Sequence, residues 1–166
     1  MKSKWFWAVL VALAALVVYV GNVFATPSTG YASSTLAKAQ FGELDSHLHS
    51  VPADWQEMIK TKGLSDLYVQ SNIFAPGGSS GWHTHPGPSL VIVTQGTLTV
   101  YEGDDPSCTP HVYSANGTNA FVDIGGGDVH LVRNQGAVEA RTIAVQLIPS
   151  GAARRIDAPD PGNCSF

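Results

Sequence analysis

The chain is predicted to fold as an all-β domain, an antiparallel sandwich or barrel, and three observations predict this class. From Asp66 onward, short runs rich in Val, Ile, Thr, Leu and Tyr alternate with turns rich in Gly, Pro, Asn and Asp. Polar and apolar residues alternate in the segment Thr97–Tyr101, as they do in a strand with one buried face. No long helical segment separates these runs. Together they favour a sheet that folds back on itself.

The pattern predicts eight strands in order along the chain. They are Leu67–Phe74, Gly81–His85, Ser89–Thr94, Thr97–Glu102, His111–Ser114, Asn119–Ile124, His130–Asn134 and Ala140–Ile148. Gln95-Gly96 predicts a tight hairpin, because glycine supplies the positive φ that such a turn needs. The run Gly125-Gly126-Gly127 predicts a sharp bend just before the seventh strand.

The remaining segments flank this barrel, which we place at residues 66–150. Residues 26–65 are predicted to form an N-terminal arm with two short helical turns, Ser34–Phe41 and Pro52–Lys60. Residues 151–166 form a C-terminal tail. One domain is expected, since a chain of 166 residues has room for a single core.

Residues 1–25 are predicted to be a signal peptide and are kept out of the fold. Lys2 and Lys4 precede an uncharged apolar run at residues 5–20, which is shorter than the roughly 20 residues of a membrane span. Val23 and Ala25 place small residues at the −3 and −1 positions of a cleavage site, so we expect cleavage before Thr26. An uncleaved N-terminal membrane anchor is the alternative. The mature protein is therefore expected to be secreted or extracytoplasmic.

Charge and cysteine content limit the partners and the compartment. The formal charge of −4 becomes −6 without Lys2 and Lys4, and no basic stripe exists, which argues against nucleic acid. The two cysteines, Cys108 and Cys164, lie in exported sequence, where a disulfide between them is favoured. It would hold the tail against the Asp104–Pro110 loop.

Three histidines form the main functional pattern. His83 and His85 are separated by one residue, and His130 follows 45 residues after His85. Residues i and i+2 of a strand point to the same face, so both imidazoles can be aimed at one point. A neighbouring strand of a closed sheet could supply the third. We therefore predict that these histidines bind a divalent metal ion.

The spacing of these residues resembles the two motifs of the cupin superfamily. Gly77 precedes His83 by five intervening residues, and Gly96 closes the first motif at the expected distance. Gly127, His130 and Asn134 match the second motif. The segments around His83, Cys108 and Cys164 are also similar to small exported bacterial cupin-domain proteins. The resemblance implies a cupin-type antiparallel barrel, the double-stranded β-helix or jelly roll. By analogy with many cupins, it also implies a homodimer.

The sequence departs from the family pattern at one position that matters. The glutamate of the first motif, usually a metal ligand, falls on Ser89. What remains resembles the three-histidine sites of some dioxygenase-type cupins. A barrel that has lost its metal together with this glutamate is the alternative.

Several other residues are candidates for a role in or near the site. Ser89 and Gln146 are candidates for lining a pocket, although Gln146 could equally face solvent. No catalytic residue is assigned, because neither Glu102 nor His111 is placed near the histidines by sequence. The pair His47 and His49 is predicted to be a surface feature. Trp82 is predicted to pack in the core.

The leading functional hypothesis is a dioxygenase-type enzyme that acts on a small chelating anion. Three neutral imidazoles suit Fe, Mn, Zn, Ni or Cu as divalent ions and leave positions open for substrate. The alternative is a non-catalytic module that captures a metal or a small ligand. A germin-like oxidase or superoxide-handling protein is a weaker third hypothesis, because that chemistry uses the glutamate that is absent here.

Overall fold

The computed structural model describes residues 25–49 and 55–166. Within these ranges the chain forms twelve strands and no helix. The strands are β1 (Thr29–Phe41), β2 (Asp45–His49), β3 (Gln56–Lys60), β4 (Ser65–Ser79), β5 (His83–Thr84), β6 (Ser89–Gln95), β7 (Thr97–Glu102), β8 (His111–Ser114), β9 (Ala120–Asp123), β10 (His130–Arg133), β11 (Ala140–Pro149) and β12 (Ile156–Asp157). Strands β4–β11 correspond to the eight predicted strands, so the all-β class is confirmed.

The strands form a nearly closed antiparallel barrel, the architecture that the motif resemblance implies. Its main path runs β12-β5-β10-β4-β11-β6-β9. Strand β4 is the longest and pairs with β1 on one side and β11 on the other. Strand β7 joins β10 to β8. Strands β2 and β3 form a separate exposed hairpin.

The predicted helical turns of the N-terminal arm are wrong. Ser34–Phe41 belongs to β1, which pairs with β4 over most of its length. Residues 56–60 form β3, while Pro52–Asp54 lie outside the described residues. Helix propensity over so few residues is a weak preference, and the hydrogen-bonding edge of β4 overrides it. Tyr31 on β1 also packs on Phe74 of β4, with ring centroids 4.9 Å apart.

The apolar core is divided into two clusters. The first is built around Leu98, which is fully buried, and comprises Phe74, Val93, Leu98, Val100, Val132 and Ala140. The second comprises Trp82, Tyr101, Leu131 and Ala158. Trp82 is 2% exposed, so it packs in the core as expected. Because Trp82 directly precedes His83, the second cluster supports the backbone of the histidine pair.

The C-terminal tail returns to the barrel and pairs with it. Strand β12 pairs with β5, and a disulfide joins Cys108 to Cys164 with a Cα–Cα distance of 5.3 Å. The signal segment expected at residues 1–25 lies outside the described residues except for Ala25, which bridges to Pro159. In residues 25–49 and 55–166 no helix is long and apolar enough to span a membrane.

Candidate metal centre

Three histidines converge inside the barrel. His83 begins β5, His85 follows two residues later, and His130 begins β10. The ring centroids are 4.3 Å apart for His83 and His130, 4.9 Å for His83 and His85, and 5.4 Å for His85 and His130. One nitrogen of each ring lies within 4.8 Å of the others. The structure thus brings together all three histidines that the motif spacing singled out.

Backbone carbonyls orient two of the three rings. The Nδ1–H of His83 donates to the carbonyl of Gly81 at 2.8 Å, and the Nδ1–H of His85 donates to that of Arg154 at 2.5 Å. A carbonyl only accepts, so the proton of each neutral ring is on Nδ1 and the Nε2 lone pair is free. This is the arrangement that holds metal-binding histidines in one tautomer.

Burial favours the neutral form of His83 and His130 by lowering the pKa of each ring. It is the largest effect on His83, whose pKa is lowered far below the ordinary value, and the charges of His130, Arg155 and His85 add to it. Burial also lowers the pKa of His130, against an opposing effect from Asp123. A neutral ring offers a lone pair instead of a second N–H. The histidine rings are therefore suited to act as ligands of a cation.

The donor set fits a divalent transition metal. Metal–nitrogen bonds to histidine are about 2.0–2.1 Å long, so nitrogens around one ion are separated by roughly 3.0–3.5 Å. Small rotamer changes bring nitrogens that lie within 4.8 Å to such separations. The Nδ1 of His130, which is buried, has no hydrogen-bond partner among the described residues.

The histidines line a cavity of about 60 Å³. Most of the other side chains that line it are polar or small, and seven of them come from four strands: Gln70, Asn72, Ser89, Asp123, Thr142, Ala144 and Gln146. Ser89 and Gln146, the two residues weighed as pocket lining, are both in this set. Gln146 donates to Ser89 Oγ at 3.3 Å and to the carbonyl of Arg154 at 3.1 Å. A cavity of this volume has room for a few water molecules or a small polar ligand.

Asp123 is a carboxylate beside the histidines that the sequence reasoning missed. It pairs with Ser89 across β6 and β9 and is buried in the cavity wall. Its Oδ2 lies 3.4 Å from His85 Nε2, and its Oδ1 lies 3.8 Å from His130 Nδ1. Its position beside the Gly125 bend was visible in the sequence. Its register against Ser89 was not.

Comparison with known proteins identifies the family. A family model described as "Cupin domain" matches residues 72–146. The barrel is a cupin domain. This match contains all three histidines and both of the residues weighed as pocket lining. No functionally curated protein matches the sequence.

Solved structures share the cupin fold at low identity. The polyketide cyclase RemF from Streptomyces resistomycificus is 15% identical over 84% of this chain and 81% of its own, with a TM-score of 0.51. A cupin superfamily protein from Desulfitobacterium hafniense is 12% identical over 69% of this chain and 81% of its own, with a TM-score of 0.42. An oxalate oxidase is 25% identical over 51% of this chain and 46% of its own, with a TM-score of 0.41. At 15% identity, the similarity to RemF shows that the two chains share a fold and does not show that they share an activity.

The remaining polar candidates lie outside the central cavity of the cupin domain. His47 and His49 are exposed on β2, and His111 is exposed at the start of β8. Glu102 pairs with His130 in register and lines a smaller adjoining pocket. Burial, followed by the charges of Asp128, Asp104 and Asp123, raises the pKa of the Glu102 carboxyl to about 7.

Proposed function

We propose that this cupin domain binds a divalent transition metal through His83, His85 and His130. The observation that carries the proposal is the convergence of three buried rings, two of which have Nδ1 committed to a backbone carbonyl. Such hydrogen bonds orient a ligand and increase its basicity, and their loss typically weakens metal binding 10- to 100-fold. A structural histidine cluster would instead be expected to satisfy both nitrogens of each ring.

The protein's own groups determine what the site can accept. Neutral nitrogen donors suit Fe, Mn, Zn, Ni and Cu, and the bound ion would supply Lewis-acid or redox chemistry. The lining residues include no lysine or arginine, so the ion would be the main positive charge facing a ligand. The cavity of about 60 Å³ restricts that ligand to a few heavy atoms. We therefore propose a small chelating anion as the ligand.

As an enzyme, the protein would be a dioxygenase-type oxidoreductase acting on that anion. The polar wall formed by Ser89, Gln146 and Gln70 would orient the anion through hydrogen bonds, and the buried position would exclude bulk water. Ligand and O₂ would be the two reactants. Two features together support an oxidation: the three neutral histidine nitrogens, which suit a redox-active metal, and the small chelating anion proposed as the ligand.

A non-catalytic binding module is the second proposal, and one observation favours it. The wall amides are already hydrogen-bonded to one another, to neighbouring hydroxyl groups and to the Arg154 carbonyl, and the central cavity is lined by no histidine besides the three proposed ligands. Apart from the Asp123 carboxylate, which lies against His85 and His130, the lining of the central cavity contains no aspartate or glutamate, and such a site suits capture better than proton transfer. Ligand-dependent thermal stabilisation without O₂ consumption would support this module. O₂ consumption that disappears in His130→Ala would support the enzyme.

Metal analysis tests the binding proposal directly. We would purify the protein from an oxidising compartment and measure its metal content beside the His83→Ala/His130→Ala variant. The matched control is His47→Ala/His49→Ala, which removes an exposed pair with the same spacing as His83 and His85. Near-stoichiometric metal in the wild type and the control, and its loss in the cavity variant, is the expected result. Absence of metal from all three, even after incubation with divalent ions, would refute the proposal.

We also propose that the protein is exported, in keeping with the apolar N-terminal segment and the Cys108–Cys164 disulfide. The mass of the protein recovered from the extracytoplasmic fraction tests this. A mature chain beginning at Thr26 is expected for a cleaved signal peptide. The full-length mass in the membrane fraction would indicate the N-terminal anchor instead.

A further inference from the structure

The carboxylate that the first cupin motif lacks at Ser89 is present one strand away. Ser89 of β6 and Asp123 of β9 are directly paired across the sheet, and both line the cavity of the histidines. Paired residues of antiparallel strands present their side chains to the same face, with Cβ atoms roughly 4.5–5.5 Å apart. Asp123 therefore reaches the same part of the cavity from the neighbouring strand.

The hydrogen bonding of Asp123 leaves one carboxylate oxygen unused. Its Oδ1 accepts the backbone N–H of Gly125 at 2.9 Å, which sets the rotamer. Its Oδ2 is buried and has no hydrogen-bond partner among the described residues. The ion-pair contacts of Asp123 in this part of the chain are with His85 and His130, and none is with lysine or arginine. A buried carboxylate oxygen without a partner is costly unless a cation binds there.

The contact between Asp123 and His85 indicates where that cation would sit. The Nδ1–H of His85 donates to the Arg154 carbonyl, so Nε2 is the ring nitrogen that faces Asp123 Oδ2, at a distance of 3.4 Å. Two ligands of one tetrahedral ion, with bonds of about 2.1 Å, are separated by about 3.4 Å. The observed separation is the one that a shared metal ion would produce.

We infer that Asp123 is the carboxylate ligand of the metal centre, standing in from β9 for the side chain that Ser89 lacks. The inference rests on the proposed function of the three histidines. A carboxylate ligand would lower the net charge of a divalent centre from +2 to +1. It would also leave fewer open positions for the small chelating ligand. Asp123 is therefore expected to set both the affinity for metal and the charge of the ligand that the site accepts.

The test is Zn(II) affinity and the visible spectrum of the Co(II)-loaded protein, measured for the wild type and Asp123→Asn. Asparagine keeps the shape and the acceptor for Gly125 but removes the negative charge. We expect the Zn(II) dissociation constant to rise at least 10-fold and the Co(II) absorption bands to shift. Glu102→Gln, measured at pH 8, is the matched control, because it removes a carboxylate beside His130 that lies outside the central cavity. It should change the affinity by less than 3-fold.

A second variant moves the carboxylate to the position that the family motif uses. In Ser89→Glu/Asp123→Ser, the serine hydroxyl can still accept from Gly125, and the shorter side chain leaves room for the new glutamate. We expect this variant to recover a large part of the Zn(II) affinity that Asp123→Asn loses. It also serves if Asp123→Asn does not fold.

The outcomes separate the inference from the proposed function. Wild-type affinity and an unchanged Co(II) spectrum in Asp123→Asn would overturn the role of Asp123 and leave the three-histidine site intact. An equal loss of affinity in Glu102→Gln would also overturn it, since nearby charge would then explain the effect. A wild-type protein that binds neither Zn(II) nor Co(II) would refute the proposed function and the inference together.

Discussion

His83 and His130 lie directly opposite each other on adjacent antiparallel strands, with their ring centroids 4.3 Å apart. The hydrogen-bond register of β5 and β10 therefore determines the spacing of two of the three rings. His85 lies just beyond the end of β5, where its carbonyl accepts from the Gly126 N–H and its ring donates to the Arg154 carbonyl. The backbone of the barrel thus sets the geometry of the site before any metal binds.

A metal bound in this site should stabilise the fold, because the unfolded chain does not hold the three histidines together. At a free ion concentration of about 100 times the dissociation constant, the gain is about 2.7 kcal/mol. We expect Zn(II) or Mn(II) to raise the Tm in differential scanning calorimetry, and a chelator to reverse the rise. His130→Ala should abolish the shift. His111→Ala, which removes an exposed histidine, should retain it.

The C-terminal tail should support the metal site through His85. Arg154 of the tail provides the carbonyl that orients the His85 ring, and the following strand β12 pairs with β5. The Cys108–Cys164 disulfide secures the end of this tail. We expect Cys108→Ser/Cys164→Ser to lower the free energy of unfolding by about 2–4 kcal/mol and to weaken metal binding.

Urea titration and metal titration of this variant measure the two effects. A reducing agent should reproduce them in the wild type and add nothing to the variant. If metal affinity is unchanged while stability falls, the tail holds the fold without holding His85.

Acid should destabilise the protein partly through Asp66, which is 1% exposed. Its carboxylate pairs with Lys38 at 3.0 Å and accepts from Gly151 and Ser150. The Lys38 ammonium first, and then the Gly151 N–H, lower the pKa of Asp66 below its ordinary value. A carboxyl with a lowered folded-state pKa stabilises the fold above the unfolded-state pKa of about 4, and this stabilisation is lost as pH falls through the folded-state pKa.

We therefore expect Asp66→Asn to lower the Tm at pH 7, with the difference from wild type shrinking below about pH 4. Asp45→Asn is the control, since Asp45 pairs with Lys60 at the exposed surface, where ion pairs contribute little. Thermal melts of the wild type and the two variants from pH 2.5 to 8 measure how each Tm difference depends on pH. A Tm difference for Asp66→Asn that is constant across this range would contradict the role of the charge.

The barrel strands could be predicted because their signals are local. Alternation, β-branched residues and Gly-containing turns all occur within a few residues of one another, and β7 and β8 have the predicted bounds. His83, His85 and His130 could be singled out because motif spacing carries them. β1 could not be predicted, since Ser34–Phe41 has no strong preference of its own. It becomes a strand because β4 offers an open edge.

Asp123 shows the same limit at the site. Its importance depends on pairing with Ser89, a residue 34 positions earlier in the chain, and register between distant strands is not encoded in local sequence. The motif spacing was enough to recognise that Ser89 occupies the position of the family's glutamate. Its replacement from another strand required the structure.

The Gly125 bend should be essential for placing His85. Gly125 has a φ of +65°, and a Cβ there would lie 2.3 Å from the carbonyl oxygen of Gly87. The next residue, Gly126, donates its N–H to the carbonyl of His85 at 2.7 Å. Gly125→Ala would therefore push this loop away from the segment that carries His85. We expect it to cost at least about 2 kcal/mol of stability and to weaken metal binding.

Gly126→Ala separates the two causes of that cost. Gly126 has a φ of +70°, but nothing lies within 4 Å of the position that its Cβ would occupy. This control therefore carries the backbone strain without the clash, and should cost about 1 kcal/mol with little change in metal affinity. Urea titrations and Zn(II) titrations of both variants make the comparison. Equal losses would mean that the close approach of Gly125 to Gly87 does not hold the loop, and that backbone conformation alone governs the position of His85.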